Sequence, residues 1–230
     1  MLKKMLPWNI ILLSIQPKQL EALPQITHSE AVDRNFNMHP EGLFSTSIFG
    51  KVGDERRLTS FAHINMKVSL IHPLIWYHLM SMRAMWGEIA AGKLYATFDE
   101  KAGEFIKADI LTGRTGYQFF AENWRKLKIE RTKSLTRNNS ITVIERYRGN
   151  GDMSSLLLVI PAGLRDIETD ENNVIVKDEL NDLYRRMLAQ SNSISDIVIK
   201  TNPKAIDSTR YSMQLTWNSI FEYFIRNIGG

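Results

Sequence analysis

Three histidines, His63, His72 and His78, lie close together in the chain, and imidazole is the side chain best suited to take up a transition metal or move a proton near neutral pH. Their neighbours are apolar and carboxylates are sparse beside them, so hydrogen-bonded roles in a core or at a surface fit better than a ligand set. A second cluster, Asp166, Glu168, Asp170 and Glu171, has the charge to attract a cation. It lacks the ligand spacing and turn glycine of a calcium loop and reads as a solvated acidic loop. The chain contains no cysteine, which excludes disulfides, thiolate zinc sites and cysteine nucleophiles. No glycine-rich phosphate loop, Gly-x-Ser-x-Gly elbow or His-Glu-x-x-His pair is present. No catalytic residue, metal ligand or bound cofactor is therefore expected in this chain.

The elements that would position any functional side chain belong to an ordinary globular sequence. Of 230 residues, 43% are hydrophobic and 23% charged, with 13 Gly and 7 Pro, which leaves room for one large domain or two smaller ones. Lys and Arg outnumber Asp and Glu by 29 to 25, giving +4 and a pI near 9.2. That balance is compatible with nucleic acid but does not single it out. The apolar run at residues 10 to 15 is far shorter than the roughly 20 residues a membrane span needs. Lys3 and Lys4 imitate a signal peptide, but Pro7 and Asn9 interrupt it and no small-residue cleavage site follows. A cytoplasmic protein without membrane contact is expected.

Along the chain, residues 8 to 15 read as a buried strand ended by Pro17, and residues 17 to 42 as short helix and loop. His39-Pro40-Glu41-Gly42 and Gly53-Asp54 are turn chemistry, with a compact apolar cluster at residues 43 to 49 between them. Residues 61 to 85 form the densest core candidate, with Pro73 splitting an extended half from a helical half. Loops with short strands or a short helix are expected over 86 to 113. Tyr117, Phe120, Trp124 and Leu127 predict an amphipathic helix over 115 to 129, and residues 141 to 147 and 155 to 160 read as strands. Asp178 can cap a helix carrying Leu180, Leu183, Tyr184, Met187, Leu188, Ile194 and Ile197 on one face. After Asn202-Pro203 a second amphipathic run holds Met213, Trp217, Ile220, Phe221, Phe224, Ile225 and Ile228. A short connection between two such helices predicts an antiparallel hairpin.

Three strings in order carry a family resemblance. Glu41-Gly42-Leu43-Phe44-Ser45-Thr46-Ser47-Ile48-Phe49-Gly50 resembles the "GLF…IFG" opening of the β′ subunit of multisubunit RNA polymerases. Ala62-His63-Ile64, with His72 nine residues after His63, resembles that family's "GHIELA…PV…H" segment, from which Ala62, Asn65 and Lys67 depart. Val159-Ile160-Pro161-Ala162-Gly163-Leu164-Arg165, followed by Glu179-Leu180-Asn181-Asp182-Leu183-Tyr184-Arg185-Arg186, resembles "V(L/I)PPDLRP…DLNDLYRR". Ala162 and Gly163 stand where the family has its second proline and aspartate. The cysteine-rich zinc insertion between the first two strings is missing, as is the family's "NADFDGD" motif, whose aspartates hold catalytic magnesium. In these respects the chain is most similar to the split, zinc-less β′ subunits of giant-bacteriophage RNA polymerases.

The resemblance implies an α+β fold: an irregular polymerase clamp module with a projecting antiparallel helical hairpin at its C-terminal end. It outlines an N-terminal β′ clamp region over 1–160, a lid-like loop over 161–177 and a clamp-helix hairpin over 178–230. The implied function is nucleic-acid retention, separation of the upstream RNA–DNA hybrid and docking of a sigma-like promoter-specificity factor. Catalysis would belong to the assembled enzyme, whose Mg2+ lies elsewhere, because phosphoryl transfer needs metal-holding carboxylates that this chain lacks. Leu164 and Arg165 are the implied lid contacts to nucleic acid. Gln190 and Asn192 on the first hairpin helix, with Arg210 and Tyr211 on the second, are the implied factor-docking residues. Expected partners are the remaining part of β′, β-like subunits, the sigma-like factor, the DNA template and the RNA–DNA hybrid. The competing expectation is a stand-alone DNA-binding transcription regulator, supported by the basic balance and the hairpin alone.

Overall fold

The computed structural model describes residues 17–30, 35, 37–165, 168–169, 175–176 and 178–228. The strand expected at residues 8 to 15 lies outside them, as does most of the acidic stretch from 166 to 173. The fold is mixed α+β, with small two-stranded sheets and a long C-terminal helix. None of its described helices is long and apolar enough to cross a membrane.

Short helices α1 (Pro17–Glu21), α2 (Thr46–Phe49) and α3 (Arg56–Thr59) precede strand β1 (Ala62–Ile71). In β1, buried and exposed residues alternate from Ile64 to Leu70, the pattern of a half-buried strand. His72 then caps α4 (Pro73–Met82): its Nδ1 accepts from the Leu74 amide at 3.2 Å, and Pro73 occupies the first turn, where no amide donor is needed. The expected change from extended to helical chain at Pro73 is present. Helix α5 (Ala84–Ala90) and the antiparallel pair β2 (Ala96–Asp99) and β3 (Glu104–Lys107) follow.

Two expected elements differ. The helix expected over 115 to 129 is confined to α6 (Tyr117–Asn123) plus a 3-10 turn over Trp124–Lys126, after which Leu127 is extended. All four of its predicted apolar residues are nonetheless buried, so the spacing identified the core side chains while overstating the helix. Residues 141 to 147, read as a strand, belong to α7 (Leu135–Tyr147). Ser134 caps that helix by accepting from the Arg137 amide at 3.4 Å, and Ser140, Ile141 and Ile144 are buried at helical spacing. The β-branched content of Ile141-Thr142-Val143-Ile144 is overridden by this face and its cap.

Strand β4 (Met153–Val159) pairs with β1, and β5 (Glu168–Thr169) pairs antiparallel with β6 (Ile175–Val176) inside the lid-like stretch. Helix α8 (Glu179–Asn192) starts at Asp178, whose carboxylate accepts from the Leu180 amide at 2.8 Å. It stops earlier than expected: Ile194 is buried beyond its end, while Ile197, in the short α9 (Asp196–Thr201), is exposed. Asn202-Pro203 breaks the chain as predicted, and α10 (Asp207–Ile228) completes it.

By packing, the chain divides into two units that cut across its sequence: Met1–Ser69 with Ser155–Ile194 and Thr216–Gly230, and Leu70–Ser154 with Ser195–Leu215. In the first unit, α8 and the end of α10 run antiparallel. The Tyr223 hydroxyl donates to Asp178 at 2.7 Å, Arg226 pairs with Glu179 at 3.1 Å and Thr216 donates to Gln190 at 3.0 Å. The antiparallel pairing is thus present between α8 and residues 216 to 228 of α10. Residues 195 to 215 belong to the second unit, where the buried Gln214 pairs with both backbone groups of Ile71, accepting at 3.0 Å and donating at 2.8 Å. A polar side chain that completes the end of a strand in this way is committed to packing.

Candidate functional site

Arg165, in the first unit, is 1% exposed and among the largest fully buried side chains. The 3-10 turn Ala162–Leu164 delivers it inward, and that turn approaches α3 closely: a Cβ on Gly163 would come within 2.9 Å of the Arg57 carbonyl. Glycine here, where the β′ pattern has aspartate, therefore has a steric reason. The guanidinium donates through Nε to the Ile160 carbonyl at 3.0 Å, through one terminal nitrogen to Asn181 Oδ1 at 2.8 Å, and through the other to the Leu43 carbonyl at 2.6 Å. Asn181 returns the bond by donating to the Arg165 carbonyl at 2.7 Å. The cation also lies over the rings of Phe44 and Phe49 at 5.2 Å and Tyr184 at 5.7 Å.

Tyr184 extends the network. Its hydroxyl donates to the Leu158 carbonyl at 3.0 Å and accepts from the Ile160 amide at 3.4 Å. Burial pushes its phenol up, against the opposing pull of the Arg165 charge, so it stays protonated and serves as a fixed donor. Leu180, Leu183 and Tyr184 are core, while Arg185 and Arg186 are exposed, Arg185 pairing with Asp182 at 3.4 Å. The resemblance places Arg165 at a phosphate, but in this structure the guanidinium is buried and multiply bonded within the fold. Leu164 beside it is half-buried.

The implied docking residues fall in both units. In the first, Gln190 is half-buried and accepts from Thr216, and Asn192 is exposed and donates to the Thr27 carbonyl at 2.9 Å. In the second, Arg210 donates to Gln118 Oε1 at 3.0 Å, and Tyr211 packs at 6.2 Å from Trp76. Tyr211 also lines a cavity of about 660 Å³ together with Asp207, Arg114 and Lys204. Asp207 accepts from the Gln118 amide at 2.7 Å, yet burial raises its carboxyl above the ordinary range.

The histidines have separate partners. His63 Nδ1 is 3.0 Å from the Leu23 carbonyl, His72 caps α4, and His78 Nδ1 is 3.0 Å from the Ser140 hydroxyl. Burial lowers the pKa of both His63 and His78. No group of three or more His, Asp or Glu placed to hold a metal occurs among the described residues.

Asn65 and Lys67, which depart from the β′ pattern, connect β1 to the end of α8. Ser191 donates to the Asn65 carbonyl at 2.8 Å, and Lys67 Nζ donates to the Ile194 carbonyl at 2.9 Å. Lys67 has φ of 62°, a left-handed conformation supported by its amide donating to Asn65 Oδ1 at 2.8 Å. Sequence reasoning missed the roles of Ser191, Lys67 Nζ and Gln214 because each depends on a partner more than a hundred positions away, and that of Asn181 because its partner Arg165 lies across the lid-like stretch, 16 positions away. No protein-family model matches this chain, and no curated protein matches it.

Proposed function

We propose that this chain is the N-terminal β′ clamp component of a multisubunit DNA-directed RNA polymerase, acting in nucleic-acid retention, upstream hybrid separation and docking of a sigma-like promoter-specificity factor. The observation that supports the reading is the convergence of its motif strings on one buried node. Arg165, at the end of the "VIPAGLR" string, bonds Leu43 and stacks on Phe44 and Phe49 of the "GLF…IFG" string. It also bonds Asn181 and stacks on Tyr184 of the "LNDLYRR" string. Residues scattered over more than a hundred positions thus make one packing unit, which gives a physical reason for these strings to occur together.

On this reading the chain contributes no catalytic group. It supplies a scaffold whose exposed positions meet nucleic acid and the factor, and Asn192 is the exposed member of the docking set. Affinity purification of the tagged chain from cells that naturally make it tests the proposal. The expected result is stoichiometric retention of large polymerase subunits, one carrying an "NADFDGD" sequence. Recovery of the chain alone, or with unrelated proteins, would defeat it.

A further inference from the structure

The basic excess of the chain is local. Eight of the 29 Lys and Arg, but only two of the 25 Asp and Glu, lie between positions 125 and 148, so this segment carries +6 and the rest of the chain −2. The stretch from 127 to 132 runs back along α7: Arg148 donates to the Leu127 carbonyl at 2.9 Å, Arg131 pairs with Glu145 at 2.6 Å, and Asn138 bonds both backbone groups of Thr132 at 2.7 and 2.9 Å.

Three of the eight cations are neutralised, Arg125 by Asp152, Lys126 by Glu100 and Arg131 by Glu145. Lys128 and Arg148 donate to backbone carbonyls; Asp99 also acts on the Lys128 charge, and Glu145 and Asp152 act on that of Arg148. Lys133, Arg137 and Arg146 have no carboxylate partner among the described residues. Beside these three stands one further acid of the segment, the exposed Glu130. Lys128, Arg148, Glu130 and Glu145 line a groove of about 290 Å³ floored by Leu127, Ile141 and Ile144, and the Nε atoms of Arg137 and Arg148 are buried with no hydrogen-bond partner among the described residues.

We infer that the surface formed by residues 125 to 133 and α7 binds nucleic acid through its phosphates, independently of base sequence. The exposed Lys133 and Arg146 lie near the two ends of α7, whose 13 residues span about 20 Å, a length that faces several phosphates of a duplex. The exposed Ser134, Thr136 and Asn139 are the short polar residues that commonly accompany such contacts. An anionic membrane is disfavoured, because Leu135 is the one large apolar residue strongly exposed on this stretch. The inference rests on the polymerase reading only for the origin of the nucleic acid, and it moves the phosphate contact from Arg165 to a surface that is accessible.

The test uses the full chain and a labelled duplex of about 20 base pairs, with anisotropy titrations at several salt concentrations. The Lys133→Ala, Arg137→Ala, Arg146→Ala triple variant is compared with Lys18→Ala, Lys200→Ala, Lys204→Ala, which removes equal charge from exposed positions elsewhere. Unchanged circular dichroism confirms that both variants fold. Each lost phosphate contact lowers the slope of log affinity against log salt by about 0.9, so the patch variant is expected to lose about 2 to 3 units of slope and at least tenfold in affinity near 0.1 M salt. The control should retain both within about twofold. Equal losses in the two variants, no duplex binding by the wild type, or binding to phosphatidylserine vesicles in preference to duplex would overturn the inference. Duplex binding through this patch by a chain that never copurifies with polymerase subunits would sink the polymerase reading and leave the inference standing.

Discussion

Replacing Arg165 with methionine separates a buried structural arginine from a phosphate contact. The substitution keeps much of the aliphatic volume but strands three acceptors: the carbonyls of Leu43 and Ile160 and Oδ1 of Asn181. Asn181 keeps its donation to the residue 165 carbonyl, so the backbone tie survives. Each stranded buried acceptor costs about 1 to 3 kcal/mol. Taking the low end for all three gives about 3 kcal/mol, and losing the cation–ring stacking brings the total to about 3 to 5 kcal/mol. For a chain of this size that is a fall of roughly 6 to 20 °C in Tm. Urea and thermal denaturation of the full chain, followed by circular dichroism, read the change directly. Arg165→Lys keeps the charge but not the planar fork, and one ammonium cannot replace three donors in that geometry, so it too should be clearly destabilised. A methionine variant melting within about 2 °C of the wild type while binding nucleic acid more weakly would refute the structural role and restore the phosphate contact.

Gly116→Ala should destabilise the second unit by about 1 to 3 kcal/mol, since φ there is 101° and a Cβ would collide with the Asp207 carboxylate; a thermal melt checks this. Burial raises the Asp207 carboxyl, so its contribution is present at acid pH and is lost as pH rises through its folded-state value. The Tm of Asp207→Asn relative to wild type should therefore increase from pH 4 to pH 7, and a constant difference would rule out that burial effect. Burial acts oppositely on His78: its lowered pKa stabilises the fold above about 6.5, and this is lost as pH falls through the folded-state value. Urea midpoints of wild type should drop more steeply than those of His78→Asn between pH 7 and 5, whereas parallel profiles would contradict the assignment.

What could be read from the sequence depended on the range of the interactions involved. The strand-to-helix change at Pro73 and the Asp178 cap are set by local backbone chemistry, and both are present. In α7, a β-branched run competes with a helical burial face, and the local propensity pointed to the wrong element. Arg165 and Asn181 were legible as motif letters but not as a buried pair, because Leu43 lies 122 positions from its donor. Gln214 gave no signal at all, since its role as the partner of Ile71 exists only once residues 143 positions apart have met. The charge asymmetry of 125 to 148 could have been counted in the sequence. Which of its cations remain uncompensated required the positions of Asp152, Glu100 and Glu145.

The most direct test of the polymerase assignment is extension of an RNA primer on a preassembled template by the purified remaining subunits, with and without this chain. The proposal expects the subunits alone to release the RNA–DNA hybrid at moderate salt and extend it poorly. Adding the chain should restore retention and extension together. Equal extension and equal salt resistance in both mixtures would contradict a role in the clamp.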